Sequence, residues 1–232
     1  MGFWQVTMKR SVRLSRSYFI LGIVVTLYGI IISNIMSIIP ADSANPAPID
    51  LSTNFPVLSV AILSLSGLFF SLPVVMLFVY DKNNGLLEYL LSTGLDQLDI
   101  FKGYVKASLT LASYLLVSAI IFNTVVGVIL GTSPTLLASM AVLTFAIGIS
   151  EVLLVTVCMV AFSSLQKTPM GANQPLGVVI GIIPMFPALI LPLVFPAYAI
   201  IIDLLIAVVT LVISLLLLLS IGRLILREKL LP

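Results

Sequence analysis

Few residues in this chain can do chemistry. It has no histidine and one cysteine, Cys158. A Ser-His or Cys-His catalytic centre, a disulfide framework and a Cys/His metal cluster are therefore excluded within it. Glu151 is the ionisable residue deepest inside an apolar stretch. A charge at the centre of a bilayer costs roughly 2.5–3.5 kcal/mol on insertion scales. Two readings of this acid stand. It is a substrate-path or proton-linked group, or it is a neutral carboxyl hydrogen-bonded to a neighbouring helix. Asp203, about one turn inside a later apolar stretch, is expected to reach headgroup water. The dipeptide Gly-Lys never occurs, so the chain has no G-x-x-x-x-G-K-[ST] phosphate cradle. Any ATP-driven step needs a separate polypeptide.

The other charges gather where the apolar stretches end. Residues 81–106 read DKNNGLLEYLLSTGLDQLDIFKGYVK and hold seven of the twenty charged residues. Asn83-Asn84-Gly85 is a helix-start signal and Gly94 a stop. Between them Leu86, Leu87, Leu90 and Leu91 form one apolar stripe on a short helix, with Glu88 beside it. A second helix is expected from Asp96, a good cap, with Asp99 near its positive end. So short an amphipathic helix is marginal alone in water and must lie on something. That surface is either the bilayer interface or a cytoplasmic partner.

The elements that position these residues follow from composition. Of 232 residues, 60% are hydrophobic and 9% charged, with a mean hydropathy of +1.26. Soluble domains carry about 25% charged residues. A soluble enzyme, a nucleic-acid-binding module and a disordered tail are excluded, which leaves an integral membrane protein. Ser17–Ala41 and Leu51–Tyr80 are free of charge, and Asp42 and Asp50 lie in the loop between them, where they are expected to be solvated. The 44-residue stretch Ala107–Ser150 is also uncharged, and the turn signal Gly131-Thr132-Ser133-Pro134 divides it in two. Thr168–Ile202 is a further uncharged stretch and leads into Leu204–Gly222. The expectation is an all-α polytopic protein with six transmembrane helices near 18–39, 57–79, 107–130, 136–162, 175–196 and 199–222. The domain plan is an N-terminal amphipathic interfacial helix over 1–17 and a six-helix transmembrane domain over 18–232, with the cytoplasmic loop 81–106. All eleven basic residues, among them Lys9, Arg10, Lys82, Lys102, Lys106 and Lys167, then fall on one side. The positive-inside rule makes that side cytoplasmic, with both termini there, in the plasma membrane.

Pro184, Pro187, Pro192 and Pro196 crowd the fifth stretch. It cannot be a straight helix, so a broken or re-entrant fifth helix is expected. In residues 2–17, Trp4, Met8 and Val12 align on a helical wheel, while Lys9, Arg13 and Arg16 share another face. This suits a helix in the interface with Trp at headgroup depth. The pairs Gly127…Gly131 and Gly177…Gly181 permit close helix contact.

In this loop Asp81, Lys82, Asn84-Gly85, Leu87-Glu88, Leu90-Leu91-Ser92-Thr93, Ile100 and Lys102 resemble the coupling segment of ABC-2-type exporter permeases. The chain departs from that pattern at Leu86, where Thr is common, and at Gly94-Leu95-Asp96, where Pro and basic residues are common. The layout is also similar to the small haem-export permease group. The resemblance implies a transmembrane subunit that is not itself an enzyme. Two copies of a cytoplasmic ATPase subunit would bind ATP and Mg, and this chain would hold no cofactor or metal of its own. A second permease copy or a paralogue would complete the path through the bilayer. The segment with Asp81, Gly85, Leu86, Leu87, Glu88, Leu90 and Leu91 would couple to the ATPase, with Leu87, Glu88 and Leu91 as the contact core. Rival expectations are a self-sufficient secondary transporter or channel with Glu151 as its ion or proton site, and a membrane scaffold for a cytoplasmic partner.

Overall fold

A computed structural model describes residues 2–38, 51–161, 185–195 and 198–224. Lys167, Pro184, Pro196, Arg227, Lys229 and the pair Gly177…Gly181 lie outside the described residues. Every regular element described is helical: α1 (Phe3–Leu14), α2 (Arg16–Ile38), α3 (Leu51–Asn83), α4 (Leu86–Ser92), α5 (Gln97–Ile129), α6 (Pro134–Ala161), α7 (Met185–Val194) and α8 (Ala199–Leu224). Among the described residues α5, α6 and α8 are long and apolar enough to cross a membrane. A fourth such unit arises if α1 and α2, which meet at an 83° bend, are taken together. The helices expose large apolar side chains freely, including Tyr28, Tyr114, Ile129, Val142, Leu205 and Leu219. A water-facing protein rarely tolerates such patches; hydrocarbon makes them favourable.

Local sequence explains where the helices stop. Gly131 takes φ 79°, and the amides of Gly131 and Thr132 donate to the carbonyls of Val128 and Gly127, closing α5 with a Schellman motif. Pro134 then opens α6 at the first-turn position where its missing N–H is harmless. The Ser133 hydroxyl accepts from the Leu136 amide at 3.4 Å. In α7, Pro187 sits in the first turn, where it is tolerated. At ten residues α7 spans about 15 Å, half of a bilayer core.

The α5–α6 pair is an antiparallel hairpin in constant register. A Ser108–Thr156 hydroxyl contact of 2.9 Å, the fit of Leu116 on Gly148, and the fit of Leu137 on Gly127 mark three successive levels. Each step along α5 is matched by a comparable step back along α6. Leu116 also fills the space over Gly67 of α3, so one leucine seats at a junction of three helices. A Cβ added at Gly67 or Gly148 would come within 2.9 or 2.8 Å of it. Helix α3 is the hub and touches α1, α2, α4, α5, α6, α7 and α8.

The two ends of the bundle differ. At one end Phe78, Leu87, Ile100, Phe101, Tyr104, Leu153 and Val157 form the largest core, with Leu217 and Leu218 packed on it. Towards the other, Val60, Met140, Leu143, Ile147 and Ala207 form a smaller core. Helices α3, α6 and α8 thus run in the same direction, ending at the α4 end. Ser214 Oγ reaches the Ser150 carbonyl at 3.3 Å, which fixes the parallel α6–α8 pair.

Candidate functional site

The α4 end of the bundle brings together most of the residues that the sequence singles out. Helix α4 begins at Gly85, held at φ 70°, and closes at Gly94, held at φ 89°. A side chain at either position would strain this left-handed backbone. The Gly94 and Leu95 amides donate to the carbonyls of Leu91 and Leu90, a second Schellman closure. Seven residues are thereby clamped between two tight turns.

The apolar stripe of α4 faces inward. Leu87 is 1% exposed, and Leu90 and Leu91 pack on the same core. Of the expected contact core, Leu87 packs into the bundle, Leu91 lies half-buried against it and Glu88 stays at the edge. Hydrophobic burial decides the matter, because the bundle offers a ready apolar surface beneath the stripe. The outward face carries Tyr89, 63% exposed, with Ser92, Thr93, Leu95 and Asp96, and half-buried Leu86 and Glu88 at its edge.

Asp81 is likewise internal. Its carboxylate accepts two bonds from the Arg10 guanidinium, at 2.6 and 3.0 Å, and one from the Tyr104 hydroxyl at 2.6 Å. Asp81 is 1% exposed, whereas Arg10 keeps about a third of its side chain in contact with solvent. The Tyr104 ring meets Phe3 edge-on at 5.6 Å and Phe78 at 5.0 Å. The Phe3 ring lies so close over Gly103 that an added Cβ would collide with its Cδ1. Lys106 sits 5.0 Å from the Trp4 ring centroid, a cation–π contact. Helix α1 is thus strapped to α3 and α5, on the same core that α4 covers.

This docking divides the stripe expected to lie in the lipid interface. Trp4 and Met8 pack on the protein core, Thr7 and Ser11 are buried, and Val12 faces out. Lys9 and Arg13 are exposed on α1, and Arg16, expected on the same face, is exposed at the start of α2 beyond the bend. No family model, curated protein or solved structure matches the chain.

Away from this end lie the two intramembrane acids. Glu151 and Asp203 are buried to 0% and 1% exposure, and neither carboxylate has a hydrogen-bond partner among the described residues. The expectation that Asp203 reaches headgroup water is corrected: it turns into the bundle, one turn from Ala199. Thr144, Ser150, Thr210 and Ser214 are buried on the same two helices. The Thr210 carbonyl accepts from Ser214 at 2.7 Å, and the Ile147 carbonyl from Ser150 at 2.8 Å. Sequence reasoning found Glu151 by its depth. It missed Arg10, Tyr104 and Gly103, whose only signals were a basic residue off the basic face of α1 and polar residues at the start of a span.

Proposed function

We propose that this chain is the transmembrane permease subunit of an ATP-driven exporter of the ABC-2 type, working with two copies of a separate ATPase and a second permease copy or paralogue. The observation that carries the reading is α4. A helix this short has no independent stability in water. Here it is clamped by two left-handed glycines onto a core shared by α1, α3, α5, α6 and α8. A push on Tyr89 and Glu88 from outside would move Leu87, and with it the buried ends of those helices. Leu87 is the transmission element in this scheme, and the outward face around Tyr89 is the contact.

The layout supports six crossings. Helix α6 ends at the α4 end and α8 starts at the opposite one, so the chain returns between them. On this reading α2, α3, α5, α6, α8 and the return would be six passages, with both termini on the basic, cytoplasmic side. The proline-rich return would be the broken fifth helix.

Purification of the tagged chain from its native membrane tests the reading. A stoichiometric ATPase should accompany it and be lost in the double variant Tyr89→Ala, Glu88→Ala, whose fold is preserved because both side chains point outward or lie at the edge. Unchanged co-purification and ATPase stimulation in that variant would overturn the coupling role. A second reading draws on Glu151 and Asp203. Two buried carboxylates without partners among the described residues suit a secondary transporter that carries protons or cations. It requires transport by the chain alone, without nucleotide, abolished in Glu151→Gln.

A further inference from the structure

We propose that the elbow between α1 and α2 is a binding site for the headgroup of an anionic phospholipid. The chain turns by 83° between Leu14 and Arg16, and on the inside of this bend the end of α3 leaves a cavity of about 300 Å³. That volume matches the lower end of small-molecule sites. One wall is polar: Ser15, Ser17 and Tyr18 from the elbow, Tyr80 and Asn83 from α3. None of these five side chains makes a hydrogen bond to another described residue. The other wall is apolar, with Leu14, Met76 and Val79 exposed or half-buried and Leu77 beneath them.

Charge selects the occupant. Among the described residues no charged side chain lines the cavity itself, and the nearest acid in sequence, Asp81, is already paired with Arg10. Arg13 and Arg16 bracket the bend, are exposed, and form no ion pair with a described acid. Lys9 adds a third exposed cation one turn back along α1. A concave site with hydroxyl and amide groups and an apolar wall, flanked by surplus positive charge at the end of a membrane bundle, fits a phosphodiester carrying acyl chains. The phosphate would meet Arg13 and Arg16, the glycerol oxygens would meet Ser17, Tyr18 and Tyr80, and the chains would run along Met76 and Val79. Guanidinium groups are the favoured partners of phosphate oxygens. A lipid seated there would wedge the elbow and hold α1 at its angle over Tyr104.

The test uses the full-length chain purified in a neutral detergent, without any ATPase, so it is independent of the export reading. Native mass spectrometry would count retained phosphatidylglycerol against phosphatidylcholine of the same acyl chains. Each basic residue near an anionic lipid surface is worth about 1 kcal/mol, so Arg13→Gln with Arg16→Gln should lower phosphatidylglycerol retention about thirtyfold. Ser17→Trp fills the cavity and leaves every charge in place; it should abolish the preference as well. An excess of inorganic phosphate should not displace the lipid, because the apolar wall contributes. Equal retention of the two lipids by the unaltered chain would overturn the site. So would full retention in Ser17→Trp, which would reduce the effect to diffuse attraction by basic side chains. Displacement by phosphate alone would replace the lipid site with a simple anion site.

Discussion

Asp81 organises more of the described structure than any other charged residue. One buried carboxylate receives Arg10 from α1 and Tyr104 from α5 while sitting on α3, so three helices meet at a single acid. Removing one partner of a buried pair strands the other and costs about 3–5 kcal/mol; the partial exposure of Arg10 places this site at the lower end. Asp81→Ala should therefore cost about 3 kcal/mol, and Tyr104→Phe about 1.5 kcal/mol, the lower end for one hydrogen bond to a charged group. Thermal unfolding of the detergent-purified chain would give the order, with Arg10→Ala the most costly of the three because it strands the buried Asp81 carboxylate. Equal stability of Asp81→Ala and the unaltered chain would show that the strap holds nothing. The sequence places Asp81 at the head of the short-helix loop, in the segment expected to couple to an ATPase. Its partner within the bundle lies 71 positions earlier, and no local period relates the two. Pairings of that range leave no trace in spacing; the one hint is that Arg10 falls off the face shared by Lys9, Arg13 and Arg16.

Elements fared better, because helix boundaries are written in local chemistry. The expected starts near 136 and 199 and the turn at 131–134 agree with α6, α8 and the Gly131 closure to within two residues. Apolar length and glycine-proline punctuation suffice for that. What periodicity could not reveal is which side of a stripe meets protein. In a membrane bundle both protein and lipid are apolar, so the stripe on α4 and the one on α1 point equally well to either. Shape decides instead. Leu116 seated on Gly67 and Gly148, and Phe3 on Gly103, are contacts between a large side chain and a missing one. Gly148→Ala should cost about 1–3 kcal/mol through overpacking. The same change combined with Leu116→Ala should cost less than the two single changes added together, a coupling visible in a double-mutant cycle of unfolding free energies. Strict additivity would mean that the junction relaxes freely. At α4, Gly85→Ala forces an L-residue to φ 70° and should cost about 1–2 kcal/mol locally. Faster amide exchange over 86–92, with protection of α5 unchanged, would locate that loss.

The whole molecule is polar along its long axis in a way that composition only hints at. One end carries the large aromatic core, the strap, α4 and the basic face of α1; the other carries the α5–α6 turn and the start of α8. Charge counting along the sequence gives the orientation, yet it rests on the number of crossings, and the proline-rich fifth stretch makes that number the weakest link. In the packing, α3, α6 and α8 are parallel, each closing on the α4 end. A re-entrant fifth stretch that failed to cross would force α8 to run the other way. The bond from Ser214 to Ser150 would then be lost, and Ala207 could not share a core with Met140 and Leu143. Single cysteines read this out directly. With Cys158 replaced by Ser, a cysteine at exposed Thr135 should react with a membrane-impermeant maleimide in intact cells. One at exposed Ser92 should react only after the membrane is opened. A protease-sensitive tag after Pro232 should behave like Ser92. Cleavage of that tag in intact cells, with Ser92 still protected, would leave an odd number of crossings and overturn the proposed six-crossing layout.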